Sequence, residues 1–162
     1  MVKPKLNLQK FMRGTVWLVG TGPGDPGLIT LYTLHAIRQA DVIIYDALVN
    51  SEILKMAKKK AKLVFAGKRG GKPSFKQKDI SNRIVGYAKK KLRVLRLKSG
   101  DPFVFGRGAE EALKLIKEKI PFRIVPGITA GIGGIAYAGI PATYRNNNNS
   151  ITLITGHRSL SK

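Results

Sequence analysis

Glycine and proline crowd positions 20–27, directly after the first apolar run of the chain. A G-x-G-x-x-G pattern begins there at Gly22, and after a strand this pattern predicts a dinucleotide site whose backbone N–H groups bind pyrophosphate. However, Pro23 and Pro26 remove two such donors, and the carboxylate of Asp25 would repel phosphate. We therefore expect a ligand without pyrophosphate, approached closely by glycine backbone. A plain tight turn is the alternative, but it would not require so many glycines and prolines.

An acid and an amine follow two later apolar runs. Asp46 comes directly after the run at 42–45, and Lys68 comes shortly after the run at 62–66. A carboxylate and an ammonium at neighbouring strand ends can form a pair that accepts and donates protons. The spacing alone leaves the alternative open, which is a surface acid and one more of many lysines.

Two further segments combine glycine, proline and selected polar residues. The segment 99–108 places Asp101 close to the aromatic residues Phe103 and Phe105, which suits a pocket for a flat, partly polar ligand. Burial of both rings in the core would explain the aromatics but not the surrounding glycines, the acid or the arginine. The segment 125–130 leads into a helix of small residues that permits close approach.

Apolar runs typical of buried strands alternate with stretches of helical spacing. The strand patterns cover 15–19, 42–45, 62–66, 92–97 and 122–125, with a sixth beginning at 150–155. The helical patterns cover 30–40, 51–60, 79–91, 109–119 and 128–138, with Ala112, Leu113 and Ile116 facing inward in the fourth. This order predicts an α/β fold, a mostly parallel five-stranded sheet with helices on both faces. Such sheets bind ligands at the carboxyl ends of their strands, where the segments above lie.

The composition fits one folded domain with an extreme positive charge. The chain has 162 residues, 43% of them hydrophobic, which is enough for a substantial core. Thirty Lys and Arg against nine Asp and Glu give a net charge of +21. Such a field attracts nucleic acid, an anionic membrane or a small substrate rich in carboxylates or phosphates. Compositional drift is an equal alternative, because the lysine runs at 58–60 and 89–91 are typical of solvated helix ends.

Several classes of site are excluded by what the sequence lacks. Without cysteine the chain has no disulfide, thiolate nucleophile or zinc–thiolate site, and with two histidines we expect no metal centre. No apolar run reaches the roughly 20 residues of a membrane span. Residues 1–13 are basic but lack the apolar core of a secretory signal. We therefore expect a cytoplasmic protein.

The pattern also predicts how the chain divides. We expect a loose basic arm at 1–13, an α/β domain at 14–140, and at 141–162 a linker with the first strand of a second α/β domain. Because that strand is followed by no helix and no partner strand, we interpret the chain as truncated after its first domain.

Taken together and in order, these motifs resemble those of the tetrapyrrole methylases, a family of S-adenosylmethionine-dependent enzymes. The similarity is collinear from Gly14 to about His157. The motifs lie at 16–30, 40–48, 67–71, 96–108 with the following Glu110 and Glu111, and 125–130 with 137–141. The first and third favour the branch of the family that acts on uroporphyrinogen III.

The resemblance implies methyl transfer from S-adenosylmethionine to two ring carbons of uroporphyrinogen III, giving precorrin-2 for siroheme and cobalamin synthesis. It also implies two α/β domains with the methyl donor in the cleft between them, and a homodimer once the second domain is supplied. No metal is needed, because a sulfonium methyl group is already an activated electrophile.

The resemblance further implies roles for individual residues. Asp46 matches the proton acceptor and Lys68 the proton donor. The positions that match cofactor contacts are Pro23, Ser99, Gly100, Asp101, Val104, Thr129 and Ala130. Since arginine binds carboxylates through two hydrogen bonds, we assign the acidic arms of the substrate to Arg69, Arg107 and Arg145 from residue type.

Three departures from the family pattern bear on activity. Ser99 stands where glycine is usual, and its Cβ would crowd the cofactor if its φ were positive. The tract 143–150 lacks the usual histidine and carboxylate, and the chain ends at Lys162. From these we expect weak or absent cofactor binding by this chain alone.

Two rival functions remain. One keeps the fold but changes the substrate to another tetrapyrrole or to ribosomal RNA, and the Asp46–Lys68 pair argues against it. The other is a basic, non-enzymatic nucleic-acid binder. The sequence has no helix-turn-helix, RNA-binding sheet motif or zinc finger to support that reading, so we expect no specific nucleic-acid partner.

Overall fold

A computed structural model describes residues 7–67 and 77–156 of the chain. Its centre is a five-stranded sheet in the order β3-β2-β4-β1-β5, in which every pair is parallel. The strands are β1 (Val16–Gly20), β2 (Val42–Tyr45), β3 (Lys62–Phe65), β4 (Val94–Lys98) and β5 (Phe122–Val125). The predicted α/β sheet is therefore confirmed.

Helices connect the strands and cover both faces of the sheet. They are α1 (Leu31–Gln39), α2 (Ser51–Leu54), α3 (Gln77–Lys89), α4 (Gly108–Lys117) and α5 (Ala130–Tyr137). A short 3-10 turn at Pro26–Leu28 precedes α1. The Thr30 side chain caps α1 by accepting a hydrogen bond from the backbone N–H of Thr33.

Alternate side chains of each central strand pack into two separate hydrophobic cores, one on each face of the sheet. In β1, Val16 and Leu18 pack in the layer of α3 and α4, whereas Trp17 and Val19 pack in the layer of α1 and α2. This is the two-sided burial that parallel sheets require, and it explains why the strands read as continuous apolar runs. Burial of each large apolar side chain contributes roughly 1.5–3 kcal/mol, so both layers hold the strand ends in place.

The second helix is shorter than predicted. It ends at Leu54 rather than at 60, and its cap is Asn50. The Asn50 side chain accepts from the N–H of Glu52 and also donates to the carbonyl of Gly24. The cap therefore anchors the first glycine-rich loop as well as the helix.

The inward face of α4 was predicted correctly at Ala112, which is buried, and wrongly at Leu113 and Ile116. Leu113 and Ile116 are exposed, whereas Glu111 and Leu115 are buried. The helix is rotated so that the carboxylate of Glu111 reaches charged groups inside the fold, and this interaction sets which face points inward.

Part of the predicted loose arm belongs to the core. Phe11 is fully buried and stacks on Trp17, with 4.6 Å between the ring centroids. The guanidinium of Arg123 lies over the rings of Trp17 and Tyr32, at 5.0 and 4.1 Å from their centroids. Apolar and cation–π contacts thus fix the described end of this segment against the sheet.

The strand predicted at 150–155 does not form. Residues 151–155 are irregular and largely exposed, with Ile154 at 85%. A strand needs a hydrogen-bonded neighbouring strand, and the sheet formed by the described residues has no strand paired with this segment.

Candidate functional site

Three loops meet where β4, β1 and β5 end side by side. We call them the first loop (21–30), the fourth loop (99–107) and the fifth loop (126–129), after the strands they follow. Gly22 and Gly100 exchange two backbone hydrogen bonds, with N···O distances of 3.2 and 2.7 Å. The strand order therefore brings together segments that are far apart in the sequence.

Close backbone approach explains the glycines at this junction. A Cβ added to Gly20 would lie 2.6 Å from the Cα of Gly127, and a Cβ on Gly127 would lie 2.8 Å from the Cα of Gly20. Either would also collide with the carbonyl oxygen of Gly100. We call Gly20, Gly100 and Gly127 the glycine seat. A side chain does not fit at Gly20 or Gly127, and the φ of 66° at Gly100 is one that favours glycine.

Asp101 ties the fourth loop to the fifth. Its Oδ1 accepts from the N–H of Phe103 at 2.7 Å, and its Oδ2 accepts from the N–H of Gly127 at 3.0 Å. Each carboxylate oxygen thus satisfies a loop N–H group that no strand or helix ladder uses. Asp101 has a structural role in the shape of the glycine seat.

The first loop is tied to α5. Asp25 accepts from the N–H of Gly27 at 2.6 Å and from the hydroxyl of Tyr137 at 2.9 Å. These two hydrogen bonds lower the pKa of Asp25, and the bond to Asp25 raises the pKa of Tyr137. Pro23 lies beside Gly133, where an added Cβ would be 3.0 Å from the Pro23 ring.

The structure brings together the loops that carry the predicted cofactor contacts. Gly100 lies against Thr129 and Ala130, at the start of α5, and the Thr129 hydroxyl does not cap that helix. Ser99 does not have a positive φ, so its Cβ does not strain the loop in the way considered above. Val104 is half-buried in the fourth loop.

A cavity of about 690 Å³ opens beside the glycine seat, at the ends of β2 and β4. It is lined by Asp46, Ala47, Leu48, Ala66, Gly67, Gln77, Ile80, Arg96, Lys98, Ser99, Phe105, Gly106 and Arg107. We call it the Asp46 cavity. Asp46 and Arg107, predicted separately as catalytic and substrate-binding residues, both line it.

Four charged residues form a cluster at the floor of this cavity. Arg96 donates from Nε to Glu111 Oε1 at 3.0 Å and from a terminal nitrogen to Asp46 Oδ1 at 2.6 Å. The Nζ of Lys98 lies 3.7 Å from Asp46 Oδ2 and 3.5 Å from Glu111 Oε1. We call Asp46, Arg96, Lys98 and Glu111 the charged cluster; its formal charges balance.

Burial and the neighbouring charges perturb both cations of the charged cluster. Burial alone would lower the pKa of Arg96, but the carboxylates of Glu111 and Asp46 outweigh it and raise that pKa. For Lys98, burial dominates and lowers the pKa; Arg96 acts in the same direction, against Glu111 and Asp46. Lys98 is therefore the cation of this pair that releases its proton more readily.

The fourth loop is strained where it borders the cavity. Phe105 and Arg107 have φ values of 52° and 57°, in the left-handed region. Such residues cost of the order of 1 kcal/mol each and are typical of functional loops. Arg107 pairs with Glu110 through two hydrogen bonds of 2.7 and 2.8 Å, so its guanidinium is fixed at the rim.

Three predicted site residues remain, which are Lys68, Arg69 and Arg145. Lys68 and Arg69 fall outside the described residues, although the preceding Gly67 lines the Asp46 cavity. Arg145 is in the exposed turn at 144–148 and does not line this cavity.

Sequence reasoning assigned no role to Arg96, Lys98 or Glu111. Arg96 and Lys98 occupy β4, which is buried at all five positions. The signal was present in the sequence, because charged residues inside an apolar strand are rarely buried without partners.

In the described ranges 7–67 and 77–156, no helix combines the length and apolar character needed to cross a membrane.

Comparisons with known proteins agree with this architecture. Residues 15–162 match the model of the family described as Tetrapyrrole (Corrin/Porphyrin) Methylases. The chain is 67% identical over 147 residues to a uroporphyrinogen-III C-methyltransferase of Sinorhizobium sp., covering 91% of this chain and 52% of the relative. The chain thus spans about half the length of that curated relative.

Solved structures show the same fold. A uroporphyrin-III-C-methyltransferase from Thermus thermophilus aligns with a TM-score of 0.73 and 42% identity, over 83% of this chain and 57% of that one. A second structure, of the Thermus thermophilus enzyme complexed with S-adenyl homocysteine, aligns with a TM-score of 0.67 and 38% identity, over 82% of this chain and 51% of that one. With its family match spanning nearly the whole sequence, this chain belongs to the tetrapyrrole (corrin/porphyrin) methylases.

Proposed function

We propose that this chain is part of an S-adenosylmethionine-dependent methyltransferase that acts on uroporphyrinogen III and gives precorrin-2. The observation that carries the proposal is the juxtaposition of the glycine seat with the Asp46 cavity at one edge of the sheet. The names of the Sinorhizobium and Thermus relatives support the same activity.

The loops around the glycine seat fit a methyl donor without pyrophosphate. Pro23 leaves the first loop without one N–H donor, while the glycines let the backbones of the loops approach one another closely. We assign cofactor binding to the residues predicted above, which are Pro23, Ser99, Gly100, Asp101, Val104, Thr129 and Ala130. When bound, S-adenosylmethionine supplies an electrophilic methyl group. The chain of hydrogen bonds from Gly22 through Gly100 and Asp101 to Gly127 makes this seat rigid.

Rigidity matters here because positioning is a large part of the catalytic task. Holding two reactants in productive geometry is worth roughly 7–11 kcal/mol of a barrier. The fourth loop contributes Gly100 to the glycine seat, holds Gly127 of that seat through Asp101, and contributes Gly106 and Arg107 to the cavity. The fourth loop therefore sets the distance between S-adenosylmethionine at the glycine seat and uroporphyrinogen III in the Asp46 cavity.

The cavity suits a flat substrate with acidic arms. Leu48 and Phe105 line it and are 78% and 59% exposed, which offers apolar surface to the macrocycle. Arg107 lies beside them and binds carboxylates in the fork geometry that it already uses with Glu110. Acetate and propionate arms of uroporphyrinogen III would compete with Glu110 for this guanidinium. We keep Arg69 and Arg145 as further substrate-side proposals.

Asp46 is the proposed proton acceptor. Methylation of a pyrrolic carbon requires a proton to leave, and the Asp46 carboxylate is 29% exposed at the cavity floor, where it can take that proton. We propose Lys68 as the proton donor from the family pattern.

Calorimetry and turnover test the proposal. Titration of the chain with S-adenosylhomocysteine measures its own affinity, which we expect to be weak. The decisive protein is a chimera in which this chain replaces the matching segment of the Sinorhizobium relative, incubated with S-adenosylmethionine and uroporphyrinogen III. Formation of precorrin-2 by the chimera, and its loss in Asp46→Asn, supports the proposal. A folded chimera that makes no methylated product overturns it.

The domain division at 14–140, the homodimer and the cytoplasmic location are further proposals. The exposed apolar residues Leu113 and Ile116 of α4 are consistent with a protein contact. Light scattering of the chimera would test the dimer, with a monomer at micromolar concentration as the contrary result.

A further inference from the structure

Asp46 is held by a buried guanidinium instead of by solvent. The Arg96 side chain is 1% exposed and spans the interior from α4 to the end of β2. Its three nitrogens all donate: Nε to Glu111, one terminal nitrogen to the carbonyl of Leu97 at 3.1 Å, and the other to Asp46. A guanidinium fixed at three points has one orientation, and so does the oxygen that it binds.

Glu111 fixes Arg96 from behind. Its side chain is fully buried, and its Oε1 lies within 3.5 Å of donors from Arg96, Lys98 and Gln77. These donors come from β4 and α3, so the carboxylate joins three elements. The other oxygen, Oε2, accepts no hydrogen bond from the described part of the chain. Through Oε1, Glu111 acts as a counter-charge held in place beside Arg96 and Lys98.

Stability alone is a poor explanation for this arrangement. Replacing a buried ion pair with apolar residues of similar size is often neutral or stabilising. The neighbouring residues of β4, Val94, Leu95 and Leu97, show that the strand otherwise accepts aliphatic side chains. The charges are retained at a position where aliphatic packing was available.

The charged cluster opens to solvent at one residue. Arg96, Lys98 and Glu111 have side chains that are at most 4% exposed, whereas Asp46 is 29% exposed and lines the cavity. The interior charges therefore act on the cavity through the Asp46 carboxylate. Arg96 binds one of its oxygens directly, and Lys98 faces the other across 3.7 Å.

We propose that Arg96 is a positioning residue that holds the Asp46 carboxylate in one orientation toward the cavity, with Glu111 locking Arg96 in place. This inference rests on the proposed function for its catalytic meaning. The positioning itself is a property of the fold and can be measured without turnover.

The test removes the guanidinium and its counter-charge together. In Arg96→Met/Glu111→Met, Lys98 and Asp46 still balance each other, so no unpaired charge is left inside. The matched control is Lys114→Met/Glu118→Met, which removes an ion pair of 2.9 Å on the outer side of the same region, together with the 2.7 Å pair between Glu118 and Lys89. Three-bond couplings measured by NMR report whether the Asp46 side chain occupies one χ1 rotamer or averages among several.

We expect a single rotamer in the parent chain and in the control, and averaging in the Arg96/Glu111 variant. In the active chimera, turnover of the Arg96/Glu111 variant should fall roughly 10- to 100-fold with unchanged affinity for S-adenosylhomocysteine, as for a misplaced catalytic group. If the double variant does not fold, Arg96→Lys keeps the charge without the fork and serves the same test. An unchanged single rotamer overturns the inference whether or not the chimera is active. Failure of the proposed function would appear separately, as an inactive parent chimera.

Discussion

Gly127→Ala probes the glycine seat most directly. The added Cβ would lie 2.8 Å from the Cα of Gly20 and would collide with the carbonyl oxygen of Gly100. Both are backbone atoms and cannot move away by changing a rotamer. The fifth loop must therefore shift, and it is held there by the hydrogen bond from the Gly127 N–H to Asp101.

The expected cost follows from the two effects of that shift. Inserting a methyl group where none fits destabilises a protein by roughly 1–3 kcal/mol. For a chain of this size, each kcal/mol lowers Tm by roughly 2–4 °C, so we expect a fall of about 2–12 °C. A displaced loop also misplaces Thr129 and Ala130, and we expect the affinity of the active chimera for S-adenosylhomocysteine to fall at least about tenfold, or 1.4 kcal/mol.

Thermal unfolding of this chain measures the fall in Tm, and calorimetry on the chimera measures the affinity. Gly134→Ala is the matched control, because it makes the same change seven residues later, where an added Cβ meets nothing within 4 Å. Alanine in this helix interior should raise stability by roughly 0.5–1 kcal/mol and leave affinity unchanged. If Gly127→Ala matched the parent in Tm and affinity, the close backbone contact described here would be wrong.

Three further predictions concern charged residues. Arg107→Ala should raise the KM for uroporphyrinogen III in the chimera while cofactor affinity stays constant, and an equal KM would reject its substrate role. Hydrogen bonds from Lys89 and Lys114 lower the pKa of Glu118 to about 2, so the stabilisation they give should be present above pH 4.5 and should decline as the pH falls toward 2. The denaturant midpoint of Glu118→Gln should therefore approach that of the parent as the pH falls through this range. A difference between the two midpoints that stays constant would contradict this. Burial lowers the pKa of Lys98, so the unfolded chain keeps this proton to a higher pH than the folded chain does. The free energy of unfolding of the parent, relative to that of Lys98→Met, should therefore rise with pH until the ordinary lysine pKa of 10.5 is passed. A fall in this relative stability over the same range would contradict the direction of the shift.

The main features of the fold were predictable because they depend on local pattern. Val16–Gly20 and Phe122–Val125 are apolar runs that end at glycine or proline, and a run of that kind indicates a buried strand wherever it lies. Alternation with helical spacing then predicts parallel pairing. Because parallel strands end at the same edge, the loops after β1, β4 and β5 were expected at a ligand site before the strand order was known.

Errors arose where long-range contacts decided the outcome. In α4 the apolar pattern predicts that Leu113 faces inward, whereas in the structure Glu111 is buried and Leu113 is exposed. Glu111 is buried because Arg96 lies opposite, on a strand that precedes it by 15 residues. Similarly, Phe11 is buried because it stacks on Trp17, and no property of residues 1–13 indicates that.

The fourth loop links the two halves of the proposed site, and this follows from the position of β4. In the order β3-β2-β4-β1-β5, β4 lies between β1, which ends at Gly20 of the glycine seat, and β2, which ends directly before Asp46. Gly100 and Asp101 are committed to hydrogen bonds with the first and fifth loops, while Gly106 and Arg107 line the cavity five residues later. Because the fourth loop is short and strained at Phe105 and Arg107, a displacement of one end moves the other. Substitutions at the glycine seat should therefore alter the shape of the Asp46 cavity as well. The β4 side chains Arg96 and Lys98 lie beneath this loop, so β4 is the element that fixes both the glycine seat and Asp46, the proposed proton acceptor.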